Sequence, residues 1–161
     1  MLHLCKNPLD YNSQVDCDTF NCGGFAMQTL DWYMPRVWDI NSHMGMSKVA
    51  AEQVYDLCFE EIVNRAKELG DEVTEVAAND LRKVPLGVEI VGFRFETYEM
   101  HICEDPMVEI GDFHFIWRDV DGIWWEKPGV NEVRMFRGNP VGDWKCSFSY
   151  NFGNKFFVRV A

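Results

Sequence analysis

Asn21-Cys22-Gly23-Gly24-Phe25-Ala26-Met27 sets the reading of the whole chain. A polar residue, a cysteine and two glycines lead directly into an apolar run that continues to Leu30. This is how a loop turning into a buried helix reads, and Thr19 and Asn21 are both suited to cap it. A cysteine placed here sits at a helix N-terminus, where unpaired backbone N–H groups and the helix dipole favour negative charge. A thiolate is favoured in such a place, and the thiolate is the nucleophilic form of sulfur. The two glycines leave room beside the sulfur for another backbone or a substrate. The competing reading is that Cys22 is one more small buried residue, since free cysteine is commonly buried.

The helix is expected to run from Cys22 to about Tyr33 and to stop before Pro35. Upstream, residues 1–20 show little periodicity and read as an irregular lead-in packed by Leu2, Leu4, Leu9 and Tyr11. Downstream, residues 34–46 read as a loop anchored by Trp38. Ser47 to Gly70 is the clearest helix, with Ser47 as N-cap and Gly70 as its stop. Val49, Ala50, Val54, Leu57, Cys58, Ile62, Ala66 and Leu69 form its apolar stripe. The stretch 71–84 reads as a short helix or turn.

From Val88 the period changes to that of strands. Residues 88–95 form a first strand and 96–111 a glutamate-rich connection with an Asp105-Pro106 turn. Residues 113–118 form a second strand and 123–127 a third. Asp121-Gly122 between them is a hairpin signal. Phe148 to Val160 reads as a last strand or a short hairpin at Gly153-Asn154. Helices first and antiparallel strands after them give one α+β domain over residues 1–161, with N-terminal helices carrying the cysteine packed on an antiparallel sheet.

Composition narrows the function classes. With 47% hydrophobic residues, six Trp and twelve Phe, the chain has the makings of a packed core. A net charge of -11 argues against a nucleic-acid backbone or an anionic membrane surface as the main partner. The N-terminus lacks a basic segment followed by an apolar one, and no run approaches the ~18 apolar residues of a membrane span. The six cysteines therefore read as mostly free thiols in a cytoplasmic protein. A zinc site from Cys17, Cys22, His101 and Cys103 is the other cysteine reading, but His101-Ile102-Cys103 has poor spacing for it.

A thiol nucleophile needs a base, and the base needs something to orient it. Of the four histidines, only His114 lies inside a clear strand. Alternation puts Asp112, His114 and Ile116 on one face and Phe113, Phe115 and Trp117 on the other. The apolar face packs, and the other is expected to offer the imidazole to the cysteine helix. The Asp121-Gly122 turn returns Glu126 to within about two positions of the residue opposite His114. A carboxylate there holds the ring and stabilises the imidazolium.

With these residues in place the sequence resembles the NlpC-like branch of the papain-like cysteine hydrolases. That branch carries a similar Asp-Cys-Ser-Gly-Phe motif, in which Asn21 stands at the Asp and Gly23 at the Ser. Residues 112–129 also look like a block found in small proteins of bacteria and their phages. The resemblance covers residues 11–30 and 87–129. It implies a papain-like fold with Cys22 as nucleophile, His114 as base and Glu126 as orienting group. It also implies an oxyanion and substrate-binding region at Tyr11, Asn21 and Gly23, Tyr11 matching a tyrosine that members carry upstream of the cysteine. The activity implied is hydrolysis of an amide, isopeptide or ester bond in a peptide or protein substrate, without metal or cofactor. The alternative is a non-catalytic binding or inhibitor protein on the same fold, presenting Trp117, Trp124, Trp125 and Trp144.

Overall fold

The β-forming half of the chain builds one antiparallel sheet, and its two central strands are longer than the sequence suggests, while the third is shorter. The computed structural model describes residues 7–102, 105–144 and 152–160. Strands β3 (Glu89–Ile102) and β4 (Asp105–Arg118) form a hairpin, with a bulge between Phe95 and Thr97. The expected glutamate-rich connection at 96–111 is therefore the outer part of that hairpin. Its polar residues do not break the ladder, because they stay bonded to the partner strand while Thr97, Val108 and Ile110 between them are buried. The short strands β1 (Gly45–Met46), β2 (Glu72–Val76), β5 (Trp124–Glu126), β6 (Arg134–Met135) and β7 (Lys155–Val160) complete the sheet. The order is β2-β7-β3-β4-β5-β6, with β1 against β4.

One face of the sheet carries Val91, Phe93, Phe113, Phe115, Trp117 and Phe157, and the helices pack on it. The other carries Ile90, Ile116 and Phe156, covered by Leu81, Phe136 and Trp144. Trp117, Trp125 and Trp144 are all buried, so three of the four tryptophans expected of a binding surface are core.

Helix α4 (Lys48–Glu68) begins at its Ser47 cap, whose hydroxyl accepts from the Ala50 N–H at 3.1 Å. Its buried face differs from the expected stripe. Ala51, Tyr55, Cys58, Phe59, Ile62, Val63 and Ala66 are buried, whereas Val49, Leu57 and Leu69 are exposed. Aromatic area explains the rotation. Tyr55 meets Phe95 at 5.0 Å and Phe59 meets Phe157 at 5.9 Å between ring centroids.

The expected loop at 34–46 contains a helix, α3 (Arg36–Asn41), and β1. Its N-terminus is capped from a distance, since Glu61 of α4 accepts from the N–H groups of Arg36 (2.7 Å) and Val37 (3.0 Å). Trp38 anchors the segment as expected, donating from Nε1 to the Gly111 carbonyl at 2.8 Å. The stretch at 71–84 holds the edge strand β2 and then a 3-10 helix over Ala78–Lys83. The lead-in holds a 3-10 turn at Pro8–Asp10, a one-turn helix α1 (Tyr11–Gln14) and a second 3-10 turn at Cys17–Thr19. Leu9 is exposed while Tyr11 is buried. Leu2, Leu4, Cys103, Cys146 and Phe148 lie outside the described residues. No described helix is long and apolar enough to cross a membrane.

Candidate active site

The outer edge of β4 positions the site. β5 covers it only at Trp117 and Arg118, and β1 only at Val108 and Glu109. Between them, residues 110–116 have no strand partner on that edge among the described residues. The first turn of helix α2 (Cys22–Ala26) fills the gap, packing against both β4 and β5.

α2 is much shorter than the expected helix to Tyr33. After Ala26 the chain turns through left-handed Gln28 (φ 59°) and Leu30 (φ 55°). The N–H groups of Thr29 and Leu30 both donate back to the Gly24 carbonyl at 3.0 Å. The helix end is closed from the last strand: Arg159 donates to the carbonyls of Met27 (3.0 Å) and Ala26 (3.4 Å). Asp71 holds that guanidinium, accepting from Arg159 Nε at 2.9 Å and also from Nη2. A cation at a helix C-terminus is favoured by the exposed carbonyls and the dipole.

The turn folds residues 31–33 back over the start of α2, which fixes what Asn21 and the glycines do. Asn21 Oδ1 caps the helix, accepting from the Gly24 N–H at 3.0 Å, and also accepts from the Tyr33 N–H at 3.0 Å. Its Nδ2 donates to the Tyr33 carbonyl at 2.7 Å. A Cβ on Gly24 would meet the backbone of Asp31, and one on Gly23 would lie 3.0 Å from the Tyr33 carbonyl oxygen and 3.2 Å from Phe115. The room beside the sulfur is thus occupied by the chain's own backbone and rings. Asn21 and Gly23 build the helix start, and Asn21 also lines the cleft beside Cys22. Tyr11 is also otherwise engaged. The residue is 1% exposed, its hydroxyl donates to Gln28 Oε1 at 2.6 Å, and it is not one of the residues that line the cleft.

Cys22, His114 and Glu126 do come together. Cys22 is buried at the first position of α2. The cysteine helix lies on the apolar face with Phe113, Phe115 and Trp117, not on the histidine face that alternation suggested. Phe25 packs edge-on to Trp117, with centroids 5.6 Å apart. Cys22 instead approaches His114 at the uncovered edge of β4, close enough to act on its titration, and both line one cleft. The other side of the ring meets Glu126, with His114 Nε2 and Glu126 Oε1 2.9 Å apart. The β4–β5 register pairs Trp117 with Trp125, which puts Glu126 diagonal to His114, as the hairpin reading expected.

The electrostatics favour a charged His114–Glu126 pair. Burial pushes the imidazole down, but the neighbouring Cys22 and the Glu126 carboxylate more than offset this and raise its pKa to about 9. Burial pushes the Glu126 carboxyl up, and the bonds to His114 and Arg134 outweigh it, holding the group below its ordinary value. Trp144 closes over the ring edge-on at 6.1 Å.

Lysine 127, which sequence reasoning passed over, ties the array together. It is fully buried, and Nζ donates to the carbonyls of Cys17 (2.7 Å), Phe20 (2.5 Å) and Gly129 (2.6 Å). Glu126 is its neighbour in β5, so this one side chain fixes the approach to Cys22 against the strand that carries the carboxylate. Burial lowers its pKa, and only a full set of acceptors makes such a site tolerable. A lysine following Trp-Trp-Glu at the end of a short strand was the available signal. Arg134 and Asn12 were missed as well and left no local signal.

A cleft of about 1040 Å³ opens over these residues. Cys22, His114 and Glu126 line it with Trp32, Trp38 and Trp144 among its walls. Among the described residues, no group of three or more His, Cys, Asp or Glu is arranged to hold a metal ion. Comparison with protein-family models, with curated proteins and with solved structures finds no match.

Proposed function

We propose that the protein is a papain-like cysteine hydrolase of the NlpC-like kind, cleaving an amide, isopeptide or ester bond in a peptide or protein. One observation carries this reading: Cys22, His114 and Glu126 line one large cleft, with His114 Nε2 and Glu126 Oε1 2.9 Å apart and Cys22 near enough to the imidazole to raise its pKa. His114 takes the Cys22 proton, and the thiolate attacks the substrate carbonyl carbon. Glu126 holds the ring and balances the imidazolium. The developing oxyanion faces the backbone N–H of Cys22 at the start of α2. His114 then gives its proton to the leaving group, and water attacks the acyl-thioester to free the acid and restore the thiol. The cleft is large and aromatic-walled, with Leu9, Trp32 and Met34 exposed on it, which suits a peptide segment.

The test is site-resolved alkylation. Iodoacetamide is reacted with the intact protein, and Cys17, Cys22 and Cys58 are followed separately by peptide mass spectrometry. Cys22 is expected to react fastest near neutral pH despite being more buried than Cys17. His114→Ala is expected to slow Cys22 alone. Screening fluorogenic peptide amides against wild type and Cys22→Ala then identifies turnover that depends on the thiol. Cys22 reacting no faster than Cys17, with no change in His114→Ala, removes the proposal.

A further inference from the structure

We propose that Arg134 is a fourth member of the site, a positioning residue that locks the Glu126 carboxylate so that one of its oxygens stays on His114. The inference rests on the cysteine-hydrolase reading and extends it. Glu126 is 9% exposed and both its oxygens are engaged: Oε1 with His114 Nε2 at 2.9 Å, Oε2 with Arg134 Nε at 3.0 Å. A carboxylate bonded at one oxygen alone turns about its last torsion, which has a broad energy profile. Bonded from both sides, it has one orientation. Arg134 stands opposite Glu126 in the β5–β6 ladder, so its side chain emerges on the same face as His114 and Glu126.

The backbone around Arg134 is built to hold that position. β6 is only two residues long, yet it is pinned at both ends. Before it, the Asn12 amide makes two bonds to Val133, accepting from the N–H at 2.7 Å and donating to the carbonyl at 2.9 Å. After it, the Phe136 N–H donates to the Trp124 carbonyl at 2.8 Å. Val133 and Phe136 are both buried. An irregular N-terminal turn and a two-residue strand thus fix one arginine. The Arg134 side chain itself is 63% exposed, so as an ion pair it adds little to stability. Its contribution lies in geometry, which is why a stability measurement and a reactivity measurement should part company. The other charged or titratable groups facing His114 are Cys22 and, opposite it on β3, the buried Arg94, with exposed Asp112 two residues back on β4.

The experiment measures the rate of Cys22 alkylation by iodoacetamide from pH 4 to pH 10 in wild type, Arg134→Ala, Arg134→Lys, Glu126→Gln and the Arg134→Ala/Glu126→Gln pair. Arg134→Ala is expected to lower the rate at pH 6.5 by about 3- to 10-fold and to move the acid limb up by about half to one pH unit. Arg134→Lys, which keeps the charge but loses the guanidinium Nε, should fall between. Thermal midpoints of both should stay close to wild type. In the Glu126→Gln background, adding Arg134→Ala should change the rate by less than about 2-fold, because its route to the histidine is already gone. An Arg134→Ala profile that superimposes on wild type, while His114→Ala still slows Cys22, overturns the inference and leaves the hydrolase reading standing. Equal effects of Arg134→Ala in both backgrounds also overturn it. If His114→Ala has no effect either, the underlying site reading fails with it.

Discussion

Gly24→Ala should damage this protein far more than Gly23→Ala, although both lie in the same turn of the same helix. A Cβ on Gly24 would lie 2.7 Å from the Asp31 carbonyl carbon and 2.8 Å from its nitrogen, with the carbonyl oxygen nearer still. Ordinary contact begins at 3.4 Å, and the obstacle is backbone, which no side-chain rotation relieves. Residues 28–33 must therefore shift by the better part of an ångström or more. That shift strains the bonds from Thr29 and Leu30 to the Gly24 carbonyl and those joining Asn21 to Tyr33. Overpacking contributes about 1–3 kcal/mol, and each weakened bond about 0.5–1.5 kcal/mol. Against this stands about 1 kcal/mol of helix propensity gained by alanine. The net is a loss of about 3 kcal/mol or more. At Gly23 the nearest atoms lie 3.0 to 3.2 Å away, and two of the three belong to the Tyr33 and Phe115 rings. A shift of a few tenths of an ångström suffices there, and the loss should stay near 1 kcal/mol. Urea unfolding followed by tryptophan fluorescence measures both. With a slope of about 2–3 kcal/mol per molar, the Gly24→Ala midpoint should fall by more than about 1 M and the Gly23→Ala midpoint by less than half as much. Equal midpoints, or the reverse order, would refute the packing account of this motif.

Glu126→Gln should reduce Cys22 alkylation near neutral pH, and Glu126→Ala should reduce it further, because glutamine keeps part of the bond to His114 while alanine keeps none; identical rates in all three would place the orienting group elsewhere. Lys127→Met should leave the buried Phe20 carbonyl and the part-buried Cys17 and Gly129 contacts without their shared donor, and at about 1–3 kcal/mol for a buried group left unpaired, partly offset by sparing a buried ammonium, the urea midpoint should drop; an unchanged midpoint would show that the lysine is dispensable. The raised pKa of His114 makes stability depend on pH with a definite sign. The folded state binds this proton more tightly than the unfolded state, so the contribution is complete below about pH 6.5 and is lost as pH rises through about 9. At 1.36 kcal/mol per unit, the loss is on the order of 3 kcal/mol, and it should be largely absent in His114→Gln when both are unfolded in urea at a series of pH values.

The fold was legible where local chemistry decides it. Ser47 caps α4, Asp121-Gly122 turns the β4–β5 hairpin, and the mixture of helix with antiparallel sheet follows from the two periods. It was illegible where distant groups decide it. α3 exists because Glu61, two dozen residues on, caps it, and α2 stops early because Arg159 closes its carbonyls. Neither partner can be recognised by spacing. The buried face of α4 was misjudged because apolar residues were counted equally. Tyr55 and Phe59 bury far more area than Val49 or Leu57 and turn the helix toward themselves.

The site divides along the same line, and the division says how it is made. Cys22, His114 and Glu126 could be found because each sits on a local signal: a capped helix start, a strand and a hairpin return. What makes them one array is not local. The sulfur meets the ring only because β4 has a bare stretch of edge between β1 and β5, and that bareness follows from two strands being short. The distance from helix start to carboxylate is set by Lys127, which bonds Phe20 on one side and belongs to β5 on the other. The orientation of the carboxylate is set from β6, whose place is set by Asn12 in the opening turn. Charged and amide side chains with fixed acceptors do the joining, because such bonds have direction where apolar contacts have none. A chain of this size can thus hold reactive groups in register from segments more than a hundred residues apart, as Asn12 and Val133 are.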